Sequence, residues 1–255
     1  MDNDDKSIGT ILSRRDALRV LGLGSAATLL AACAPEVMET LNPTLMPSTI
    51  ASPAVTSTLA AVGMPVPACV VRPEMTEGPY FVDEMLNRSD IRNDPSTGAL
   101  SEGAPLELTF NVSQISVNGC LTLEGAQVDI WHCDAFGVYS DVENAVGTKF
   151  LRGYQTTDTN GQVKFTTIYP GWYPGRAVHI HFKIRIHGYD FTSQVFFDDA
   201  FTDQVYSQEP YASRGERNIR NDRDGIYTHG GEQLLLAATQ TEIGYAAVFD
   251  IGMQI

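Results

Sequence analysis

Leu106-Glu107-Leu108-Thr109-Phe110-Asn111-Val112 alternates apolar and polar residues without a break. In an extended chain successive side chains point to opposite faces. Leu106, Leu108, Phe110 and Val112 therefore share one face, and the segment predicts a strand with one side in a core. Short strand-like runs recur at 126–131, 163–168, 178–186, 193–197 and 245–251. Turn signals separate them: Asn118-Gly119, Asp158-Thr159-Asn160-Gly161, Tyr169-Pro170-Gly171 and His187-Gly188. No sustained 3.6-residue pattern appears between 100 and 200. The expected fold class is all-β, a sandwich or barrel with irregular loops and little helix.

Outward from this region the chain changes character. No Phe, Tyr or Trp occurs before Tyr80, so the core is expected beyond that point. Residues 34–67 hold six prolines among many Ser, Thr and Ala. Such a stretch cannot bury enough apolar surface to offset its ordering entropy, and it reads as a linker. Residues 1–33 read as a signal. Arg14-Arg15 precede an apolar run from Val20 to Leu30, too short for a span of roughly 20 residues. The run ends in Leu30-Ala31-Ala32-Cys33, a lipobox in which the Cys33 thiol takes a lipid. The expectation is a twin-arginine lipoprotein signal over 1–33, a linker over 34–67 and one catalytic domain over 68–255. The protein would be exported and anchored on the extracytoplasmic side, touching membrane only through its lipid.

The formal net charge is −14, and residues 1–33 contribute four acids and four bases, so the excess lies in the mature chain. That argues against nucleic acid and anionic membrane surfaces as partners. After Cys33 three cysteines remain, Cys69, Cys120 and Cys133, with no CxxC pair that would suggest a thiolate zinc site. In an oxidising compartment one pair is expected to be bridged.

The chemistry concentrates in Gly171-Trp172-Tyr173-Pro174-Gly175-Arg176-Ala177-Val178-His179-Ile180-His181-Phe182. On a strand His179 and His181 project from one face while Val178, Ile180 and Phe182 point into the core. Two imidazoles so placed can converge on one metal. Alone, His-x-His also fits cupins, zinc hydrolases and a half-exposed polar face. No His-x-Glu or His-x-Asp companion sits where a cupin or a two-His-one-carboxylate iron(II) site would need it, but ten tyrosines are present, one of them six residues before His179. Phenolate is a hard, anionic ligand suited to Fe(III), whose charge lowers the phenol pKa from about 10.

At these residues the chain resembles the intradiol ring-cleavage dioxygenases, the family of catechol 1,2-dioxygenase and protocatechuate 3,4-dioxygenase. Four ordered blocks carry the resemblance over residues 69 to 200: Thr76-Glu77-Gly78-Pro79-Tyr80-Phe81, the stretch from Val128 to Ser140, Thr157-Asp158-Thr159-Asn160-Gly161, and Tyr173 to Phe182. It implies a β-sandwich holding Fe(III) through Tyr139, Tyr173, His179 and His181. A small aromatic diol would bind at Gly78, Pro79, Tyr80, Arg176 and Gln194 and react with O2. Tyr173 and Arg176 would be catalytic, Tyr173 as the ligand that leaves the metal to take a substrate proton. His132 is expected to be structural. Cys69 immediately precedes the Thr76–Phe81 block and Cys120 opens the strand leading to Tyr139, so a Cys69–Cys120 disulfide is expected, with Cys133 as the alternative partner.

Three departures bear on substrate identity and leave the ligand positions intact. The family often has Arg-Pro where this chain has Arg176-Ala177. Tyr173 and Arg176 are separated by only two residues, which suggests a more open pocket for larger catechols. The long helical dimerisation segment of catechol 1,2-dioxygenases has no counterpart, and the oligomeric state stays open. Two other classes compete. Residues 157–165 also resemble the small β-sandwich modules of cell-surface binding proteins, and His179 with His181 would serve a divalent-metal hydrolase.

Overall fold

The computed structural model describes residues 70–255. The expected signal, the linker, Cys33 and Cys69 lie outside the described residues. The described residues form two five-stranded sheets. The first contains β1 (Pro105–Ser116), β2 (Gly119–Thr122), β5 (Gln162–Ile168), β9 (Thr239–Gln240) and β10 (Tyr245–Met253). The second runs β4 (Arg152–Thr156), β3 (Gln127–Trp131), β6 (His179–Ile186), β7 (Tyr189–Phe197) and β8 (Leu235–Leu236).

The alternation in β1 works as its pattern requires. Leu106, Leu108, Phe110 and Val112 are buried, and they meet the second sheet, with Phe110 and Phe182 at 5.2 Å between ring centroids. Phe182 also packs on Phe249 of β10 at 5.5 Å, so three strands from both sheets share one aromatic cluster. Each such side chain, fully buried, contributes roughly 1.5–3 kcal/mol. β1 pairs antiparallel with β5 and β2 on one side and parallel with β10 on the other. The His187-Gly188 signal forms the two-residue turn between β6 and β7, with φ of 49° and 83°. Two positive φ values match a turn whose twist suits a hairpin, and the glycine adopts its value without steric cost.

The sandwich with little helix is what the patterning predicts. β7 starts four residues earlier than expected, because Tyr189–Thr192 pair with β6 across the hairpin, and β10 ends two residues later, because Gly252 and Met253 continue the ladder with β1. The one α-helix among the described residues, α1 (Asp199–Tyr206), has no sequence signature beyond its cap: the Asp198 carboxylate accepts the Phe201 amide at 2.9 Å. Between α1 and β8 the chain runs through short 3-10 turns. Cys120 is disulfide-bonded and Cys133 is free and buried.

Candidate metal centre

β6 is buried on both faces in its first half. Ile180, Phe182 and Ile184 enter the core, while His179 and His181 project from the opposite face and are themselves only 2% and 1% exposed. Neighbouring strands complete this second face. Trp131 of β3 and Gln194 of β7 lie directly across from His181. The Trp131 ring stacks flat on the His181 ring at 4.9 Å and 11°. Behind the histidines, Trp131, Cys133 and Tyr139 form a small buried cluster of their own, flanked by Tyr80, Phe81, Val142 and Tyr173.

Two loops supply the tyrosines. After β3, Asp134 accepts the amides of Phe136 and Val138 at 2.9 and 2.8 Å, folding the chain so that Tyr139 turns inward. After β5, the Gly171 amide donates to the Asp134 carbonyl at 3.1 Å, tying the Tyr173 loop to the Tyr139 loop. Arg152 fastens the first loop from beneath. Its Nε donates to Ser140 Oγ at 2.7 Å, its Nη2 to the Ser140 carbonyl, and its Nη1 to the Tyr80 carbonyl at 3.3 Å.

Four side chains meet at one point. Nε2 of His179 lies 3.0 Å from Nε2 of His181, 3.2 Å from Oη of Tyr173 and 3.4 Å from Oη of Tyr139. Nδ1 of His179 donates to the Ala177 carbonyl at 2.6 Å, which leaves Nε2 with a bare lone pair facing the other three atoms. Nδ1 of His181 is buried without a hydrogen-bond partner. With a proton on Nε2, His181 serves His179 but buries an orphan acceptor. With a proton on Nδ1, it buries an orphan donor and sets two lone pairs against each other. A cation between the two Nε2 atoms removes that second conflict. Separations of 3.0–3.4 Å are those of ligand atoms around one metal ion. Among the described residues no group of three or more His, Cys, Asp and Glu side chains could hold a metal, so the phenols are needed to complete the set.

Without a cation the site is neutral. Burial pushes the Tyr139 phenol well above its ordinary range, and the neighbouring Tyr173 adds to this. Burial pushes Tyr173 up to about 12, against the opposing pull of Arg176. Burial also drives both histidines well below the ordinary imidazole range, with like charge from Arg176 and between the two rings adding to it. A bound cation reverses the logic for the phenols, since it favours the anionic form.

The expected substrate-side residues surround this point. Arg176, half-buried, donates from Nε to Asp224 Oδ2 at 2.9 Å and from Nη2 to Gln194 Oε1 at 2.5 Å. Gln194 in turn donates to the Thr76 carbonyl at 2.9 Å. Gly78 has φ of 72° and runs so close to His181 that a Cβ there would sit 3.3 Å from its Cε1. Tyr80 stacks on Tyr139 at 4.6 Å, and its hydroxyl donates to Glu143 at 2.9 Å. Pro79 is exposed beside them. His132 is held between the Cys133 carbonyl at 2.8 Å and Thr167 Oγ1 at 2.7 Å, a structural role. Asp224, Trp131, Arg152 and Glu143 complete the surroundings and were not expected from the motifs. Trp131 had a signal, since it lies within the Val128–Ser140 block; Asp224 had none.

The sequence model of a dioxygenase family matches residues 76–209, just over half the chain. The chain belongs to the intradiol ring-cleavage dioxygenases. Among solved structures it is similar to an intradiol ring-cleavage dioxygenase from Tetranychus urticae, with 32% identity and a TM-score of 0.65, covering 73% of this chain and 95% of that one. It is also similar to the dioxygenase domain of a dioxygenase–carbohydrate-binding fusion from Streptomyces sp. SirexAA-E, with 25% identity and a TM-score of 0.53, covering 72% and 99%. Among curated proteins it is 28% identical over 141 residues to chlorocatechol 1,2-dioxygenase of Pseudomonas putida, 48% of this chain and 52% of that protein. The chain thus spans about half the length of that intradiol relative. The family segment contains all four converging side chains together with Arg176 and Gln194, whereas Asp224 lies beyond it.

Proposed function

We propose that this intradiol dioxygenase binds one ferric ion through Tyr139, Tyr173, His179 and His181, and uses O2 to cleave a catechol-type ring between its hydroxylated carbons. The product is a muconate-type diacid carrying both oxygen atoms. The observation that carries this reading is the convergence of His181 Nε2 and the two phenol oxygens within 3.0–3.4 Å of His179 Nε2. A bound ferric ion supplies Lewis acidity for the catechol oxygens and draws electron density from the ring, opening it to O2.

The chain's own groups do the rest. Tyr139 is 4% exposed and stacked under Tyr80, which suits a permanent ligand. Tyr173 is half-buried on a loop. Its Oη is therefore the better candidate to move aside and accept a substrate proton. Arg176, fixed by Asp224 and Gln194, faces the same space and stabilises negative charge developing on the opened ring. Gly78, without a side chain, lets the backbone approach the His181 ring closely.

Adding ferric ion to the metal-free protein is expected to give the burgundy band of tyrosinate-to-iron charge transfer. One O2 should then be consumed per diacid formed from a catechol. A colourless protein with no uptake of oxygen would remove the enzyme reading in favour of a binding module. The same proposal includes export through the twin-arginine pair and lipidation at Cys33. Arg14→Lys with Arg15→Lys should hold the protein inside the cell, and mature protein beginning elsewhere than Cys33 would contradict the anchor.

A further inference from the structure

Asp224 is wholly buried, and all its oxygen lone pairs are spoken for. Oδ1 accepts the amides of Ile226 at 2.7 Å and Tyr227 at 3.0 Å, which shapes the local turn. Oδ2 faces the other way. It accepts Nε of Arg176 at 2.9 Å and the amide of Ala177 at 2.7 Å. Ala177 is buried and lies outside the strand ladder, immediately before Val178 and β6. Its carbonyl accepts Nδ1 of His179 at 2.6 Å. Ala177 is thus bonded to the carboxylate at its amide and to the imidazole at its carbonyl.

We propose that Asp224 is a positioning residue for the metal centre: through Oδ2 it holds the Arg176 guanidinium directly and the His179 ring by way of Ala177. The inference rests on the four-ligand reading and assigns a role that the family segment does not contain. A carboxylate that merely capped the 226–227 turn would need only Oδ1. The second oxygen, pointed at a guanidinium and an amide beside two groups of the site, is what a turn alone does not explain. Fixing the Ala177 carbonyl sets both the tautomer and the orientation of His179, because the ring must donate from Nδ1 to reach it.

The test uses the full chain titrated with ferric ion against a competing chelator, reading the tyrosinate band and, separately, the melting of the metal-free protein. Asp224→Asn keeps the volume and the turn-forming oxygen but turns an amide donor toward two donors. It should fold, yet bind ferric ion about 10–100-fold more weakly, with a shifted band, as loss of an outer partner of a ligand does. Arg176→Gln leaves the Asp224–Ala177 bond in place and removes a like charge from beside the cation, so it should lose no ferric affinity. An Asp224→Asn protein with wild-type affinity and an unmoved band overturns the proposal. So does an Arg176→Gln protein that loses equal affinity, because the effect would then run through Arg176. If Asp224→Asn fails to fold, hydrogen exchange at the Ala177 amide of the Arg176→Gln protein decides: slow exchange supports the carboxylate's hold, and fast exchange overturns it. A wild-type protein that stays colourless with ferric ion would sink the four-ligand reading itself, and this inference with it.

Discussion

Arg176 and Asp224 form an ion pair at 2.9 Å whose side chains are 17% and 0% exposed. This is not the solvated surface pair that a lone arginine on a loop would suggest. Removing the arginine strands a buried carboxylate, which costs about 3–5 kcal/mol where a pair is fully desolvated and somewhat less here. Arg176→Ala is therefore expected to lower stability by about 2–4 kcal/mol in denaturant unfolding and turnover by about 10²–10³, with the coloured band retained. Tyr173→Phe should do the reverse: stability within about 1 kcal/mol of wild type, because the hydroxyl is only part-buried, but a displaced band. Equal stability of the Arg176→Ala and wild-type proteins would show that Asp224 finds another partner.

Gly78→Ala tests the close approach to His181. The backbone there has φ of 72°, and the added methyl would meet the imidazole at 3.3 Å. Strain in that conformation costs roughly 1–3 kcal/mol. The variant should melt earlier and, on the proposed four-ligand reading, bind ferric ion more weakly. Unchanged affinity in a folded variant would mean that the segment slides away from the ring.

Acid should weaken the metal-free protein through His132, whose burial lowers its pKa to about 4. The unfolded chain takes that proton near 6.5, so between about 6.5 and 4 the unfolded state binds more protons than the folded one. Stability contributed by the neutral imidazole is complete above 6.5 and falls as pH drops through that window. The loss is on the order of 3 kcal/mol from this group by pH 4. His179 and His181 shift in the same direction and steepen the slope. Urea midpoints measured from pH 7 to 4 check this, and replacing His132 by Gln should flatten part of the curve.

Cys120 is bridged, and we propose Cys69 as its partner. A loop of about 50 residues would be closed, worth roughly 3–4 kcal/mol by loop entropy. Reduction should lower the unfolding midpoint accordingly, and a non-reducing digest should yield one joined peptide containing both cysteines. Cys133 is 2% exposed, and burial pushes its thiol well above the ordinary range, so it should resist alkylation until the protein is denatured.

The strands and the ligand strand were legible because period-2 burial writes itself into composition. Ile180 and Phe182 had to point one way, and His179 and His181 the other. Tyr139 and Tyr173 were legible only through family resemblance, since nothing in a loop's composition says which way a tyrosine turns. Asp224 was silent for a different reason. It reaches the site across 47 residues from Ala177, through a run of 3-10 turns with no periodicity to read. Arg152 carries no mark in the sequence, yet it is buried and donates to Ser140 and Tyr80, a role that exists only once β4 pairs with β3.

The parallel pairing of β1 with β10 has a consequence in time as well as space. β1 forms its ladder with residues 245–253, more than a hundred positions later in the chain. While the ribosome is still adding the residues between them, the edge of β1 that β10 will cover stands open. Contacts so distant in sequence close slowly, because the loop must be ordered before the pairing compensates. The nascent chain must therefore spend much of its synthesis with one edge of an apolar strand uncovered, a species prone to pair with other chains. Only after Met253 emerges can the sheet close behind β6 and hold His179 and His181 still.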